Sequence, residues 1–224
     1  MPLIRPTIEP TADGSPTLRH PLLGDCYHSV RGALGEARHV FIGHGFRAAC
    51  EKWREEGSSR PLCIFEAGFG SGLNAWLTLV EAETSQCPVE YHAAELYPVS
   101  PEVAATLGYT DDPRFMQMHT ARWETRERIS PLFTLKKQEK ALERMEFNGI
   151  FDLVYYDAFA PDTQPELWSA ELFGRIGRTM RPEGLLVTYS AKGTVKQALR
   201  AAGFEVHRLP GALGKRHMLR AVRL

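Results

Sequence analysis

The sequence predicts one α/β domain, a mostly parallel sheet with helices on both faces. Three observations predict it. Short apolar runs alternate with helical stretches from residue 61 onward, which is the spacing of β-α-β crossovers. Two of those runs, "PLCIFEAG" and "FDLVYYDAF", are apolar at almost every position, as buried strands are. The length of 224 residues suits one domain burying about 70% of its unfolded surface and is short for two.

Taken in order, the first 30 residues carry "ADGS" between short β-prone stretches, and Asp-Gly there signals a hairpin. Residues 1–37 are therefore expected to form a small β-hairpin extension, and residues 38–224 the main domain. "HVFIGHGFRAACEKWREE" has helical spacing, with Phe46, Ala49, Cys50 and Trp53 on one face, and "GSSRP" stops it. "PLCIFEAG" is the first strand of the main domain, "GLNAWLTLVEAETS" a helix and "VEYHAAEL" the second strand. "SPEVAATL" opens on a Ser cap with Pro in the first turn. "DDPRFMQMHTARWETRERI" is expected to be helical, "LFTLKK" to be the third strand and "QEKALERM" a helical turn or two. "FDLVYYDAF" is the fourth strand, "PELWSAELFGRIGRTM" a helix, "GLLVTYS" a strand and "AKGTVKQALRAAG" a helix. "FEVHRL" and "KRHMLRAVRL" are the closing strand pair.

Composition excludes several classes. Apolar content of 43% and charged content of 24% are those of an ordinary globular chain, not a disordered or fibrous one. No run of about 18 apolar residues exists, and "MPLIRPTIEP" lacks a secretory core, so the expected location is cytoplasmic. The four cysteines are widely spaced without a CxxC pair, and the histidines lack HxxxH spacing, so no metal is expected. "GFGSG" lacks the G-x-S-x-G spacing of a hydrolase nucleophile. Net charge is zero, but residues 175–224 carry +9 and the rest −9. Such asymmetry fits either a basic face for a polyanion or solvated surfaces.

The chemistry concentrates at strand ends. In "FEAGFGSGLNAW", Glu66, Gly68, Gly70 and Gly72 recur every two residues where the first strand turns into a helix. Glycine suits a turn whose backbone passes close to a ligand or takes positive φ. The dinucleotide fingerprint G-x-G-x-x-G needs glycine at position 73, where Leu73 stands. Glu95 ends the second strand, where a carboxylate accepts from both ribose hydroxyls, a feature common to nicotinamide and other nucleoside ligands. Asp157 ends the most apolar strand, and its burial there is costly unless it is used. In such sheets ligands sit beyond the carboxyl ends of the strands.

The G-x-G-x-G spacing after an acid resembles motif one of class I S-adenosylmethionine-dependent methyltransferases, Rossmann-like proteins with a seven-stranded, mostly parallel sheet. Together "DCYHS", "HVFIGHGF", "FEAGFGSGLNAW", "DAFAPDTQPELW", "GLLVTYSAKGTVKQALRAAGF" and "GALGKRHML" resemble the methyltransferase module of the MnmC enzymes, tRNA 5-aminomethyl-2-thiouridine methyltransferases, over nearly the whole chain. The resemblance implies methyl transfer from S-adenosylmethionine, leaving S-adenosylhomocysteine, to the aminomethyl nitrogen of the wobble uridine of tRNA. It implies a cofactor site of Glu66, Gly68, Phe69, Gly70, Gly72, Leu73, Asn74, Glu95 and Leu96, with Asp157 facing the amine. Phe159 and Pro161 would shape the acceptor wall, while Lys215 and Arg216 would contact phosphate. The chain ends at Leu224 without the oxidase domain of bifunctional members, so a separate enzyme is expected to supply the aminomethyl group. Where the family has an acid near the adenine, this chain offers Glu139, with Ala141 in place of the expected Asp.

Two aromatic positions keep two readings. Trp168 either stacks on a base or packs in the core. Tyr27, with Ser29, either closes the cofactor pocket or simply packs. An aspartate of ordinary pKa, about 3.9, is a poor base for an alkylammonium, so Asp157 is expected to position the acceptor and relay its proton. The rival functions are methylation of a small-molecule or protein amine, and a non-catalytic RNA-binding module of the same fold.

Overall fold

A computed structural model describes residues 6–146 and 150–224. A two-stranded hairpin, β1 (Thr7–Pro10) and β2 (Pro16–Arg19), precedes a helical run made of α1 (Ala33–Ala37), a π-helical stretch (Arg38–Phe46) and α2 (Arg47–Glu55). Then come β3 (Leu62–Ala67), α3 (Leu73–Ser85), β4 (Val89–Glu95), α4 (Pro101–Ala104), α5 (Pro113–Thr120), β5 (Arg126–Ser130) and β6 (Phe133–Glu139). The last part holds β7 (Phe151–Tyr156), α6 (Ala170–Gly177), β8 (Met180–Thr188), α7 (Gly193–Ala201), β9 (Phe204–Pro210) and β10 (His217–Arg223).

The main sheet runs β5-β6-β4-β3-β7-β8-β10-β9. Strands β6, β4, β3, β7 and β8 are parallel, and β10 runs antiparallel between β8 and β9. Alternate residues of the central strands feed two cores: Ile64, Leu153 and Tyr155 on one face, Phe65, Val154 and Tyr156 on the other. This is the expected α/β architecture with one strand more than the seven anticipated.

The extra strand corrects the reading of residues 111–129 as a helix. Asp112 caps α5 by accepting from the Arg114 N–H at 2.9 Å, and the helix stops at Thr120. Residues 126–130 then pair antiparallel with β6 as a charged edge, Arg126 bridging to Glu90 at 2.5 Å and Glu127 to Arg122 at 2.7 Å. Charged side chains suit an edge strand, and their helix-compatible spacing hid it. The helix expected over residues 165–180 is likewise broken. Ser169 caps α6 through the Leu172 N–H at 3.2 Å, leaving Pro165–Trp168 as a 3₁₀ turn, and Met180 already belongs to β8. Residues 138–145 form β-strand and a 3₁₀ turn, Leu142–Arg144, instead of α-helix.

The π-helical stretch lies directly on the sheet because Gly45 lacks a side chain. A Cβ there would stand 2.9 Å from Val187 Cγ2 and 3.1 Å from Tyr155 Cε1. Gly45→Ala is expected to cost about 1–3 kcal/mol by overpacking. Gly193→Ala, at the start of α7 with open space around it, is expected to gain about 0.4–1 kcal/mol. Urea unfolding of both variants checks the contrast in sign.

Candidate active site

The carboxyl ends of β3, β4 and β7 open onto one cleft of about 380 Å³. Its floor is the loop between β3 and α3. Gly68, Gly70 and Gly72 there have φ of +95°, +51° and +74°, a left-handed path that L side chains resist. A Cβ on Gly70 would come 3.0 Å from the Tyr27 ring, and one on Gly72 would come 2.8 Å from His119 Nε2. A Cβ on Gly68 would come 3.0 Å from the Asp157 carbonyl oxygen.

Glu95 fixes this loop from the neighbouring strand. Its two carboxylate oxygens accept from the Gly70 N–H and the Tyr97 N–H, each at 2.8 Å. Burial raises its pKa, and those backbone donors pull the other way. Glu95 also lines the cleft.

Beneath the loop, Asn74 ties two acids together. Its side-chain amide donates to Glu66 Oε1 at 2.9 Å and to Asp157 Oδ2 at 2.8 Å. Glu66 is 1% exposed, and burial, followed by the nearby Asp157, raises its pKa well above the usual carboxylate range. Asp157 is deep yet lines the cleft. Burial first, then Glu36, pushes it up to about 8, against the pull of Asn74 and Lys215. Desolvation thus lifts this carboxyl well above the ordinary aspartate value of about 3.9.

The structure sorts the expected site residues. Gly68, Phe69, Gly70, Glu95, Leu96, Asp157 and Phe159 line the cleft. Glu66, Gly72, Leu73 and Asn74 lie behind that lining and shape it. Pro161 stands outside the lining. Trp168 is buried, edge-on to Tyr156 and donating its indole N–H to the Phe159 carbonyl at 2.9 Å. Its base-stacking reading is corrected: it braces the wall from within. Lys215, expected to contact phosphate, lines the cleft and pairs with Glu36. Arg216 is exposed. Glu139 points outward, while Lys140, Leu142 and Glu143 line that end of the cleft.

Several lining residues had little or no sequence signal. Glu36 sits in a plain helix turn, Tyr189 just past β8, and Tyr97 just past β4. From the amino-terminal extension, Tyr27 packs on Phe159 at 5.1 Å between ring centroids, and His28 Nε2 lies 2.6 Å from Ser71 Oγ in the glycine loop. Burial holds His28 down to about 4, so the imidazole is neutral at physiological pH. Tyr27 and Ser29 both line the cleft, and Tyr27 packs on Phe159 as well, so both of its readings are compatible with its place. Across the sheet, Cys63, Glu90 and His92 bring potential metal ligands within 4.8 Å, although Glu90 is already paired with Arg126.

Comparison with known proteins now bears on this geometry. Residues 117–224 match a family described as S-adenosyl-L-methionine-dependent methyltransferase. The tRNA 5-methylaminomethyl-2-thiouridine biosynthesis bifunctional protein MnmC of Azoarcus sp. (strain BH72) is 32% identical over 98% of this chain and 36% of its own length. Its namesake from Burkholderia mallei (strain NCTC 10229) is 31% identical over 91% of this chain and 34% of its own. The chain therefore spans about a third of these curated relatives. The crystal structure of MnmC2 from Aquifex aeolicus superposes with a TM-score of 0.77 at 27% identity, covering 99% of this chain and 71% of that one. Glycine cradle, acid-ended strands and these matches define an S-adenosyl-L-methionine-dependent methyltransferase. Within that class the chain belongs to the MnmC methyltransferase family.

The residues present fit the cofactor. The glycine turn leaves the space that side chains would fill, and the Glu95 carboxylate lines that space from the neighbouring strand. Asp157→Asn tests the electrostatics. The native pKa of Asp157 lies above its unfolded value, so its stabilising contribution is complete below about pH 4 and is lost as pH rises toward 8. The variant is expected to be more stable than wild type by about 1–3 kcal/mol at pH 8, discounted for water reaching the cleft, and near parity at pH 4. Thermal unfolding across that range checks it.

Proposed function

We propose that the chain methylates the aminomethyl nitrogen on the wobble uridine of tRNA, converting 5-aminomethyl-2-thiouridine to 5-methylaminomethyl-2-thiouridine. The observation that carries this reading is Asp157, a carboxylate of raised pKa facing the cleft at the end of the central strand β7. The names of the MnmC relatives supply the product.

Bound S-adenosylmethionine supplies an electrophilic methyl group. The acceptor needs a neutral amine, its lone pair about 3 Å from that carbon and in line with the departing sulfur. Asp157 accepts a proton from the acceptor nitrogen, and its raised pKa brings it near enough to an alkylammonium for the transfer to be useful. Asn74 keeps the carboxylate aimed by holding one oxygen. Tyr27 and Phe159 wall the cleft against water, which favours the uncharged amine.

A basic surface supports the tRNA acceptor over a small-molecule or protein amine. Lys196, Arg200 and Arg208 crowd together on α7 and β9, closely enough that the two arginines lower the Lys196 pKa. Other cations of the same region are already paired, Arg181 to Asp152 and Lys192 to Asp162. Among the described residues no helix is long and apolar enough to cross a membrane. With tRNA as partner, the reading places the reaction in the cytoplasm, downstream of an enzyme that installs the aminomethyl group.

Incubation with labelled S-adenosylmethionine and tRNA bearing aminomethyluridine, then digestion, is expected to place label in methylaminomethyluridine; an unlabelled nucleoside overturns the reading. Asp157→Asn is expected to lower kcat by about 10²–10⁴ in the same assay. Charge removal at Lys196, Arg200 and Arg208 together is expected to flatten the slope of log affinity for tRNA against log salt by up to about 3, read by filter binding.

A further inference from the structure

Two charges far apart in sequence meet inside the cleft. Lys215, on the turn between β9 and β10, donates from Nζ to Glu36 Oε1 across 179 positions of chain. The same Nζ lies 5.2 Å from the centre of the Tyr189 ring. Glu36 is 7% exposed, and the Tyr189 hydroxyl donates to the Ala158 carbonyl at 2.9 Å, which fixes the ring. All three line the cleft with Asp157, whose carboxyl responds to Glu36 and Lys215 in opposite senses. So one end of the cleft holds an ammonium between a buried carboxylate and an aromatic face, the pair of groups that selects ammonium ligands. The glycine turn and Glu95, which serve the cofactor, make no hydrogen bond or ion pair with either of them.

We propose that Glu36 and the Tyr189 ring are the recognition site for the acceptor's ammonium group, and that Lys215 fills this site until the acceptor exchanges with it. The inference rests on the amine acceptor proposed above. Exchange of one ammonium for another keeps Glu36 compensated throughout, which matters because an unpaired buried carboxylate is costly. Bound there, the acceptor nitrogen shares the cleft with Asp157, which in its ionised form accepts the proton once the nitrogen comes within hydrogen-bond reach, directly or through one water. Glu36 discriminates an amine from the methyl group of an otherwise similar pyrimidine, a difference of charge that a wall of Tyr27 and Phe159 cannot read.

The test follows the Lys215 ammonium resonance in ¹⁵N-lysine-labelled protein with S-adenosylhomocysteine present. Benzylammonium is expected to shift it and benzyl alcohol to leave it in place, and Glu36→Gln is expected to abolish the response. In methyl transfer to aminomethyl tRNA, Glu36→Gln is expected to raise the acceptor KM by about tenfold with S-adenosylhomocysteine affinity unchanged. Lys215→Met is expected to lower that KM, whereas a lysine that only braced the loop would raise it when removed. A Lys215 resonance indifferent to benzylammonium in wild-type protein, or a Lys215→Met KM that rises, overturns the proposal. Failure of wild type to methylate tRNA while the ammonium-specific shift persists would overturn the tRNA acceptor and leave the ammonium site standing; transfer without the shift does the reverse.

Discussion

The site is governed by three carboxylates withdrawn from bulk water at the ends of neighbouring parallel strands, Glu66 and Glu95 buried on β3 and β4 and Asp157 half-buried after β7. Each costs desolvation energy unless it gains hydrogen bonds. Glu95 gains them from backbone, and in doing so pins Gly70. Glu66 and Asp157 share the single amide of Asn74. That amide belongs to the first turn of α3, so the helix can start only where the glycine turn delivers it. Loop shape and acid placement therefore determine one another, and neither is a free variable of the sequence.

The amino-terminal hairpin is part of the same solution. A turn made of glycines with left-handed φ has few contacts of its own, and its neighbours must hold it. His28 reaches Ser71 from one side, and His119 Nε2 lies 3.1 Å from the Ser71 carbonyl on the other. Tyr27 occupies the room that Gly70 leaves. Both imidazoles are held near 4 by burial, so at neutral pH these bonds involve uncharged rings and carry no charge to perturb the acids. The extension thus acts as the fourth wall of the cleft.

What could be read from the sequence divides along a physical line. Glycines, strand-end acids and apolar strands are local signals: "FEAGFGSGLNAW" and "FDLVYYDAF" show their roles because the period and the position along a strand are properties of a few consecutive residues. Asn74 was assigned to the cofactor, and its bridge between two acids was hidden, since the partners lie 8 and 83 positions away. The motif "GKRHM" carries the expectation for Lys215, and a motif cannot tell which way a lysine turns; its pairing with Glu36 aims it into the cleft. Strand β5 was missed because "ETRERI" is charged on both periods and only its pairing with β6 distinguishes them. Trp168 illustrates the same limit, since helical spacing places it on a face without saying that Tyr156 and Phe173 already cover that face.

Charge also orders the events in the cleft. Asp157 is raised to about 8 by burial and by Glu36, so near neutral pH the empty cleft holds much of it protonated. Any cation entering the cleft lowers that pKa, because an opposite charge nearby favours the carboxylate. A sulfonium and an ammonium are both cations. With the methyl donor and amine acceptor proposed above in place, Asp157 would lose its proton and face the cleft as a carboxylate. Glu66 lies behind the lining, and burial first, then Asp157, raises its pKa.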